Sequence, residues 1–455
     1  MERTDLEQLD KPELIEIILE MKAVVETVRQ ENEQLQKQVS ELEKELDRPA
    51  KTPENSSVPP ALGRKPKKKP GQGGAQKGHL GRSRKRVKPD VIIECQVEQC
   101  PDCGTDLSEQ DHHFLGRSQV IEIPPVEPVV VEAQRYGCRC PECGRYHKAD
   151  YPSGLEPQRV FGRRLETMVT YLHQLHHLSY GRLQTVLAML FGLTISIGAL
   201  TNLVKRSADR LKPTAEAIRD EIRQAQVVGS DETGARVNGQ NQWQWVFVTE
   251  EATYHVISDS RGSSVIDQVM GEAVPLVWVR DLWSAQGKAK ATFHQICHAH
   301  QLRDLQFVID AENSAWAYHF QSLLRRSQRL HKLRPDLPAN HFKQAVAQIE
   351  ADCDRLLAQT LTGSEALRLQ RRYLKHRASL FVFLHYPQVP FDNNASERAL
   401  RNSVIHRKVS GGFRSQAGAD AHAIVASISD TVRKRQQDVF SVLQSLIGSP
   451  TPTSS

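Results

Sequence analysis

Gln226-Val-Val-Gly-Ser-Asp231-Glu232-Thr233 is the stretch on which the fold of this 455-residue chain turns. Its β-branched start predicts a strand bearing Asp231, and Val237-Asn-Gly-Gln just beyond predicts a hairpin turn. Trp243 to Thr249 and Tyr254 to Ser258 supply two more strands. Ala273-Val-Pro-Leu-Val-Trp-Val-Arg280-Asp281 is a further apolar run ending in a carboxylate, at the C-terminal strand end where open α/β sheets gather their sites. Far along the chain, Phe391-Asp392-Asn393-Asn394-Ala-Ser-Glu397-Arg398-Ala-Leu-Arg401 begins a helix whose first turn sets Glu397 beside basic side chains.

Three acids from distant segments, Asp231, Asp281 and Glu397, are thus candidates to converge. Phosphoryl transfer on DNA uses two divalent ions about 3.5 to 4 Å apart, and Mg²⁺ takes hard oxygen ligands while keeping positions open for water and phosphate. Each acid also has a structural reading. Asp231 can close a turn, Asp281 can solvate a strand end, and Glu397 can complete a capping box with Asn394 as N-cap.

Working outward, residues 1–48 read as a coiled-coil helix. Leu14, Met21, Val28, Leu35 and Leu42 fall seven apart, as do Ile18, Val25, Asn32, Val39 and Leu46. β-branched residues at a, mostly Leu at d and one polar a residue, Asn32, point to a parallel dimer. Pro49 and Pro53 end the helix. Charge then reverses: residues 1–50 hold 7 basic and 14 acidic side chains, residues 51–90 hold 12 and 2, within a chain of net charge +6. Residues 49–90 are rich in Gly and Pro and cannot bury enough apolar surface to fold alone. This basic arm, with Lys67, Lys68, Lys69, Arg84, Lys85 and Arg86, suits phosphate tracking on double-stranded DNA.

Six of the eight cysteines lie within residues 95–143. Cys100-Pro-Asp-Cys103-Gly104 and Cys140-Pro-Glu-Cys143-Gly144 are two CxxC knuckles that meet the four-thiolate demand of structural Zn²⁺, with Cys95 and Cys138 as alternative ligands. Val120-Ile-Glu-Ile-Pro and Val129-Val-Val-Glu-Ala are expected to be strands of a zinc ribbon over residues 91–155. Residues 160–215 show helical periodicity for three helices, with a break at Phe191-Gly192-Leu193-Thr194 and Ser196 capping the third. That third helix carries Lys205 and Arg206 on its polar side, as in a helix-turn-helix reader or a plain helical connector.

Hydrophobic residues at 39% and charged residues at 25% fit a globular chain. No apolar run reaches the roughly 18 residues of a membrane span, and the acidic N-terminus is unlike a secretory signal. The expected setting is cytoplasmic, without membrane contact.

Asp231-Glu-Thr, Cys297-His298-Ala299-His300 with Arg303, and Asp392-Asn-Asn-Ala-Ser-Glu397-Arg-Ala-Leu-Arg resemble the insertion-sequence-66 family of bacterial DDE transposases. The resemblance runs through most of the chain, to Arg407-Lys408-Val-Ser-Gly-Gly-Phe413. It implies a multidomain α+β protein: coiled coil, zinc ribbon, helix-turn-helix-like region, and an RNase H-like α/β catalytic core in two parts, 222–303 and 389–448, split by a helical insertion at 304–388. In such a core Asp231 and Asp281 hold Mg²⁺ (or Mn²⁺) from neighbouring strands and Glu397 completes the site from a helix. Arg398, Arg401, Arg407 and Lys408 would contact phosphate.

The resemblance implies terminal inverted repeats and target DNA as substrates, a homodimer or higher oligomer, accessory proteins of the same element, and a nucleoid-associated bacterial location. Other readings are a nuclease of the same fold without strand joining, and a zinc-containing dimeric DNA-binding regulator. One departure concerns the second acid. The family usually follows it with Gly-Tyr, whereas Asp281 is followed by Leu282-Trp283-Ser284, which keeps Asp259 as an alternative. Cys297 and His300, as two soft ligands alone, read as structural or DNA-facing rather than as a second zinc site.

Overall fold

The computed structural model describes residues 11–46, 49, 51–52, 79, 81, 84–157 and 159–448. Lys67, Lys68 and Lys69 lie outside these residues, as do the side chains of Leu14, Leu42 and Leu46. The described residues divide into two compact units, one built on Lys205–Ile447 with the described part of the first 64 residues, the other on the described part of Lys65–Val204 with Gly448.

Helix α1 spans Lys11–Leu46 without interruption. Its heptad side chains lie open: Ile18, Met21, Val25, Val28, Leu35 and Val39 are all more than half exposed.

In the second unit, each cysteine knuckle closes through the same pair of backbone bonds. Cys100 and Cys140 donate their N–H to Thr105 and Arg145 carbonyls at 2.9 and 2.8 Å, and Gly104 and Gly144 donate back to the cysteine carbonyls. Both glycines have positive φ, 74° and 70°, which a Cβ would strain. Strands β1 (Gly137–Arg139) and β2 (Tyr146–Lys148) form an antiparallel hairpin around the second knuckle.

The strands expected at Val120–Pro124 and Val129–Ala133 do not form; that stretch is irregular, with Val120 and Val130 exposed at 84% and 93%. Pro124, Pro125 and Pro128 remove three backbone donors there, which prevents a ladder. Helices α2 (Arg163–Gln174), α3 (Tyr180–Phe191) and α4 (Ile197–Gln224) follow. Gly192 ends α3 in the left-handed conformation, and Ser196 Oγ accepts the Ala199 N–H at 3.2 Å, capping α4 as its sequence predicts. Val169, Leu183, Leu187, Leu200 and Leu203 are buried.

From Lys205 onward the chain belongs to the first unit. Its centre is a mixed five-stranded sheet made of β3 (Val227–Val237), β4 (Gln240–Val248), β5 (Thr253–Ser258), β6 (Val277–Arg280) and β7 (Phe293–Ile296), in the order β5-β4-β3-β6-β7. β3, β4 and β5 are antiparallel neighbours, whereas β6 runs parallel to β3 and β7 parallel to β6. Asn238 and Gly239 turn the β3–β4 hairpin, both with positive φ. Helix α5 (Ser264–Met270) lies between β5 and β6 in sequence. After β7 come α6 (His298–Glu312), α7 (Ala315–Leu333), α8 (Ala339–Leu357), α9 (Ser364–Lys375) and the short α10 (Val382–His385), packed with Val277, Val279 and Ile296 of the sheet in one apolar core. The chain ends in α11 (Asn394–Ser410), α12 (Gln416–Lys434) and α13 (Val439–Ile447).

Helix α11 is fixed to β3 and β4. Leu400 packs against Val246 and Val248. At its start, Asn393 donates Nδ2–H to the Ser230 carbonyl at 2.8 Å and accepts Ser396 Oγ–H at 2.8 Å. Helix α11 thus has Asn393, not Asn394, as its N-cap. A Cβ at Gly229 would meet Asn393 Oδ1 and Ser396 Oγ at 3.0 Å each, so glycine permits the close approach. Asn393→Ala is expected to lower stability by about 1–3 kcal/mol by orphaning a buried carbonyl. Gly229→Ala is expected to destabilise through the same contact, both being read by urea unfolding of the full chain.

Candidate active site

Period-two alternation decides which side chains of β3 share a face. Asp231 is paired with Val246, whose side chain packs on Leu400, so Asp231 faces α11. Ser230 and Glu232 face the other way, where Gln286 Nε2 reaches both, at 3.3 Å to Ser230 Oγ and 2.9 Å to Glu232 Oε2. Trp278 Nε1–H in turn holds Gln286 Oε1 at 3.2 Å.

Asp281 and Glu397 lie near enough to Asp231 for their charges to act on it. The Asp231 carboxyl is pushed well above the usual carboxylate range, first by burial and then by the charges of Asp281, Glu232 and Glu397, against one stabilising hydrogen bond from the Glu232 N–H. Asp281 follows directly on β6 and accepts the Trp283 N–H at 2.8 Å, an Asx turn that fixes its carboxylate at the strand end. Arg280, buried beside it, donates to the Asp281 carbonyl and to His294 Nδ1, each at 3.0 Å. Glu397 lies in the first turn of α11, facing His300 and Arg303 of α6. Asp259 follows β5, takes a 3.4 Å hydrogen bond from Ser258 Oγ, and is not among the carboxylates that chiefly act on Asp231.

Two features of this region escaped the sequence. Glu232 is a fourth acid, raised by burial and by Asp281 and opposed by Gln286 and Arg261. Arg261 pairs with Glu232 at 3.0 Å and stacks on Trp243 and Trp283, at 4.4 and 3.7 Å from their ring centres. Adjacent acids on one strand point to opposite faces, so nothing in Asp-Glu-Thr marked Glu232 as a neighbour of Asp281. The second feature is a third donor beside Cys297 and His300. Cys297 Sγ, His300 and Glu397 place one ligand atom each within 4.8 Å of one another. Reading the Cys-x-x-His pair as two ligands alone left out Glu397, which is 97 residues away in sequence from His300.

Of the basic residues singled out, Arg84, Lys85, Arg86, Lys205, Arg206, Arg398, Arg401 and Lys408 are exposed and Arg407 is half-buried, its guanidinium lying where a Cβ on Gly234 of β3 would meet it at 3.3 Å. Arg401 follows Glu397 by four residues and therefore lies on the same side of α11. In the other unit, hydrogen bonds from the Thr105 side chain and backbone, and then from Cys100, hold the Cys103 thiol below its ordinary range, and the Cys143 and Glu142 backbone N–H groups, then the Cys143 side chain, do the same for Cys140. Among the described residues no helix is long and apolar enough to cross a membrane.

Comparison with known proteins gives the class. A sequence profile described as zinc-finger binding domain of transposase IS66 matches residues 98–144, which include Cys100, Cys103, Cys138, Cys140 and Cys143 but not Cys95. The chain is by class a transposase with a zinc-finger domain. The profile of the transposase IS66 family matches residues 158–421, and the chain belongs to that family. It is also similar to two uncharacterized proteins of Sinorhizobium fredii. One, y4jD, is 23% identical over 79% of this chain and 76% of its own length. The other, y4jO, is 30% identical over 35% of this chain and 43% of its own length.

The raised Asp231 carboxyl makes a signed prediction. A buried acid whose folded pKa exceeds its unfolded value costs nothing when protonated in both states, and destabilises progressively as pH rises above the ordinary carboxyl range. Asp231→Asn should therefore raise the melting temperature of metal-free protein at pH 7, the gain shrinking toward zero near pH 4. Thermal unfolding of both proteins across that pH range checks this.

Proposed function

We propose that the chain is a DDE-type transposase that binds the terminal inverted repeats of its element, cleaves phosphodiesters to free 3′ hydroxyls and joins them to target DNA. The observation that carries this reading is that the charges of Asp281 at the end of β6 and Glu397 in the first turn of α11 act together on the partly buried Asp231 of β3, in a member of a transposase family. The sheet order β5-β4-β3-β6-β7, antiparallel then parallel, supports an RNase H-like core with the α6–α10 segment as an insertion.

The donor set fits Mg²⁺ or Mn²⁺: hard carboxylate oxygens, with the Asp231 carboxylate destabilised by the charges of Asp281 and Glu397. Asp231, Asp281 and Glu397 would hold two such ions, which would supply charge neutralisation and activation of the attacking and leaving oxygens. The chain's own groups place these parts. The Asx turn at Trp283 orients Asp281, and the Asn393 anchor orients the helix end bearing Glu397. Glu232, tied to Gln286 and Arg261, stays on the opposite side of the sheet as a structural acid. In the first step water attacks phosphorus in line and the 3′ oxygen leaves. In the second, that 3′ hydroxyl attacks a target phosphodiester and a new 3′ oxygen leaves. Arg398, Arg401, Arg407 and Lys408 contact phosphate beside the site, while the basic arm and α2–α4 bind duplex DNA.

The knuckles Cys100/Cys103 and Cys140/Cys143 are the ligand set for the finger's Zn²⁺; the matched segment begins after Cys95, and Cys138 lies in β1 rather than in a knuckle. The exposed heptad stripe of α1 supports a parallel homodimer that holds two element ends. The accessory proteins and the cytoplasmic, nucleoid-associated setting belong to the same reading.

Asp231→Asn, Asp281→Asn and Glu397→Gln should each lower end cleavage by about a hundredfold or more, since each removes several kcal/mol of transition-state charge stabilisation. Binding of terminal-repeat DNA should persist in all three, because the arm and helices supply it independently. Parallel gel-shift and cleavage assays check this. Full activity of Asp281→Asn would reassign the second acid to Asp259, cleavage without joining would mark a nuclease, and DNA binding without metal-dependent cleavage in the parent would mark a regulator. A peptide of residues 1–48 should dimerise in sedimentation equilibrium, and Asn32→Leu should stabilise it while broadening its oligomeric states.

A further inference from the structure

We infer that Cys297, His300 and Glu397 form a site for a soft divalent transition-metal ion, Zn²⁺ before others, distinct from the cysteine knuckles. The inference does not rest on the proposed activity; it needs only the donors. Cys297 is the N-cap residue of α6, His300 lies one turn into that helix, and Glu397 comes from the first turn of α11. Their ligand atoms lie within 4.8 Å of one another. In a tetrahedral zinc site the protein bonds are about 2.0–2.3 Å, which sets ligand-to-ligand edges of about 3.3–3.7 Å. His300 Nδ1 and Glu397 Oε1 are 3.8 Å apart, close to such an edge.

Those two atoms are otherwise unexplained. Both are buried and neither has a hydrogen-bond partner. The separation of 3.8 Å is too long for a hydrogen bond between them, and Arg303 is no closer, at 3.9 Å. Buried polar atoms are nearly always satisfied, so a pair aimed at each other across a gap marks a missing partner. An ion between them supplies it.

The chemistry of the set agrees. His300 offers an imidazole nitrogen and Glu397 a carboxylate oxygen. Cys297 Sγ already accepts the Asn393 N–H at 3.2 Å, the outer-shell bond that steadies a metal-bound thiolate. On binding, the ion displaces the thiol proton to solvent and takes sulfur, nitrogen and oxygen, a set that zinc accepts and Mg²⁺ does not. Three protein ligands leave a fourth position for water. Because a carboxylate has two oxygens, coordination through Oε1 leaves Oε2 of Glu397 for the hard-ion site, and the soft ion ties α6 to α11 at the third acid.

The test is zinc content of the full-length protein by elemental analysis, beside circular dichroism. The parent is expected to hold about two zinc ions per chain. Cys297→Ser, His300→Gln and Glu397→Gln should each retain about one, with Glu397→Gln preserving shape if the others disturb folding. Asp231→Asn should keep both ions, so that failure of the activity reading and failure of this one are separate results. Loaded with Co²⁺, a Cys103→Ser/Cys143→Ser chain should show a single-thiolate charge-transfer band that disappears on adding Cys297→Ser. One zinc per chain in the parent, or an unchanged second zinc in Cys297→Ser and His300→Gln, overturns the proposal.

Discussion

The seating of the α11 N-terminus on β3 is the contact on which the rest of the site depends. Asn393 donates its amide N–H to the Ser230 carbonyl and accepts the Ser396 hydroxyl with the same side chain, and Gly229 leaves the space for it. With the packing of Leu400 on β4, that juncture brings a helix from residue 394 against a strand from residue 227, with an intervening segment of helices that packs on β6 and β7. The relative placement of Glu397 and Asp231 therefore follows from how α11 is seated on the sheet and not from either element alone.

Holding acids together is costly, and in this protein Asp231 bears that cost. Burial and three carboxylate neighbours all act on Asp231 in one direction, and a single backbone N–H opposes them. Compensation lies beside the other acids: Arg261 and Gln286 satisfy Glu232, Arg303 stands 3.9 Å from Glu397, and Arg280 is buried beside Asp281. A folded protein tolerates such frustration at a functional site because cations or substrate charge relieve it there.

The zinc-finger segment shows the opposite economy. Its knuckles are fully specified by local turns, each with a left-handed glycine and the same two backbone bonds, whereas the stretch between them lacks a ladder because its prolines remove donors. Order in such a segment comes from the cysteines and their ion more than from an apolar core.

Local pattern alone determined much of this protein. Valine runs and alternation marked β3 to β6, the Asn-Gly pair marked the hairpin, and heptads marked α1. The CxxC-Gly repeats marked the knuckles, and capping by Ser196 marked the start of α4, because each signal is complete within about a dozen residues. The short strand β7 and the true N-cap at Asn393 were not legible, the first because Phe293-His-Gln-Ile lacks the valine run that marks the equally short β6, the second because Asn393 is selected by the distant Ser230 carbonyl. Tertiary structure alone decided that Glu232 faces away from Asp231 yet feels Asp281, that Arg261 stacks between two tryptophans, and that Glu397 stands beside Cys297 and His300. Each of these joins residues far apart in sequence across a sheet or between helices, and the free energy that brings them together comes from packing the whole unit, which no local stretch of sequence records.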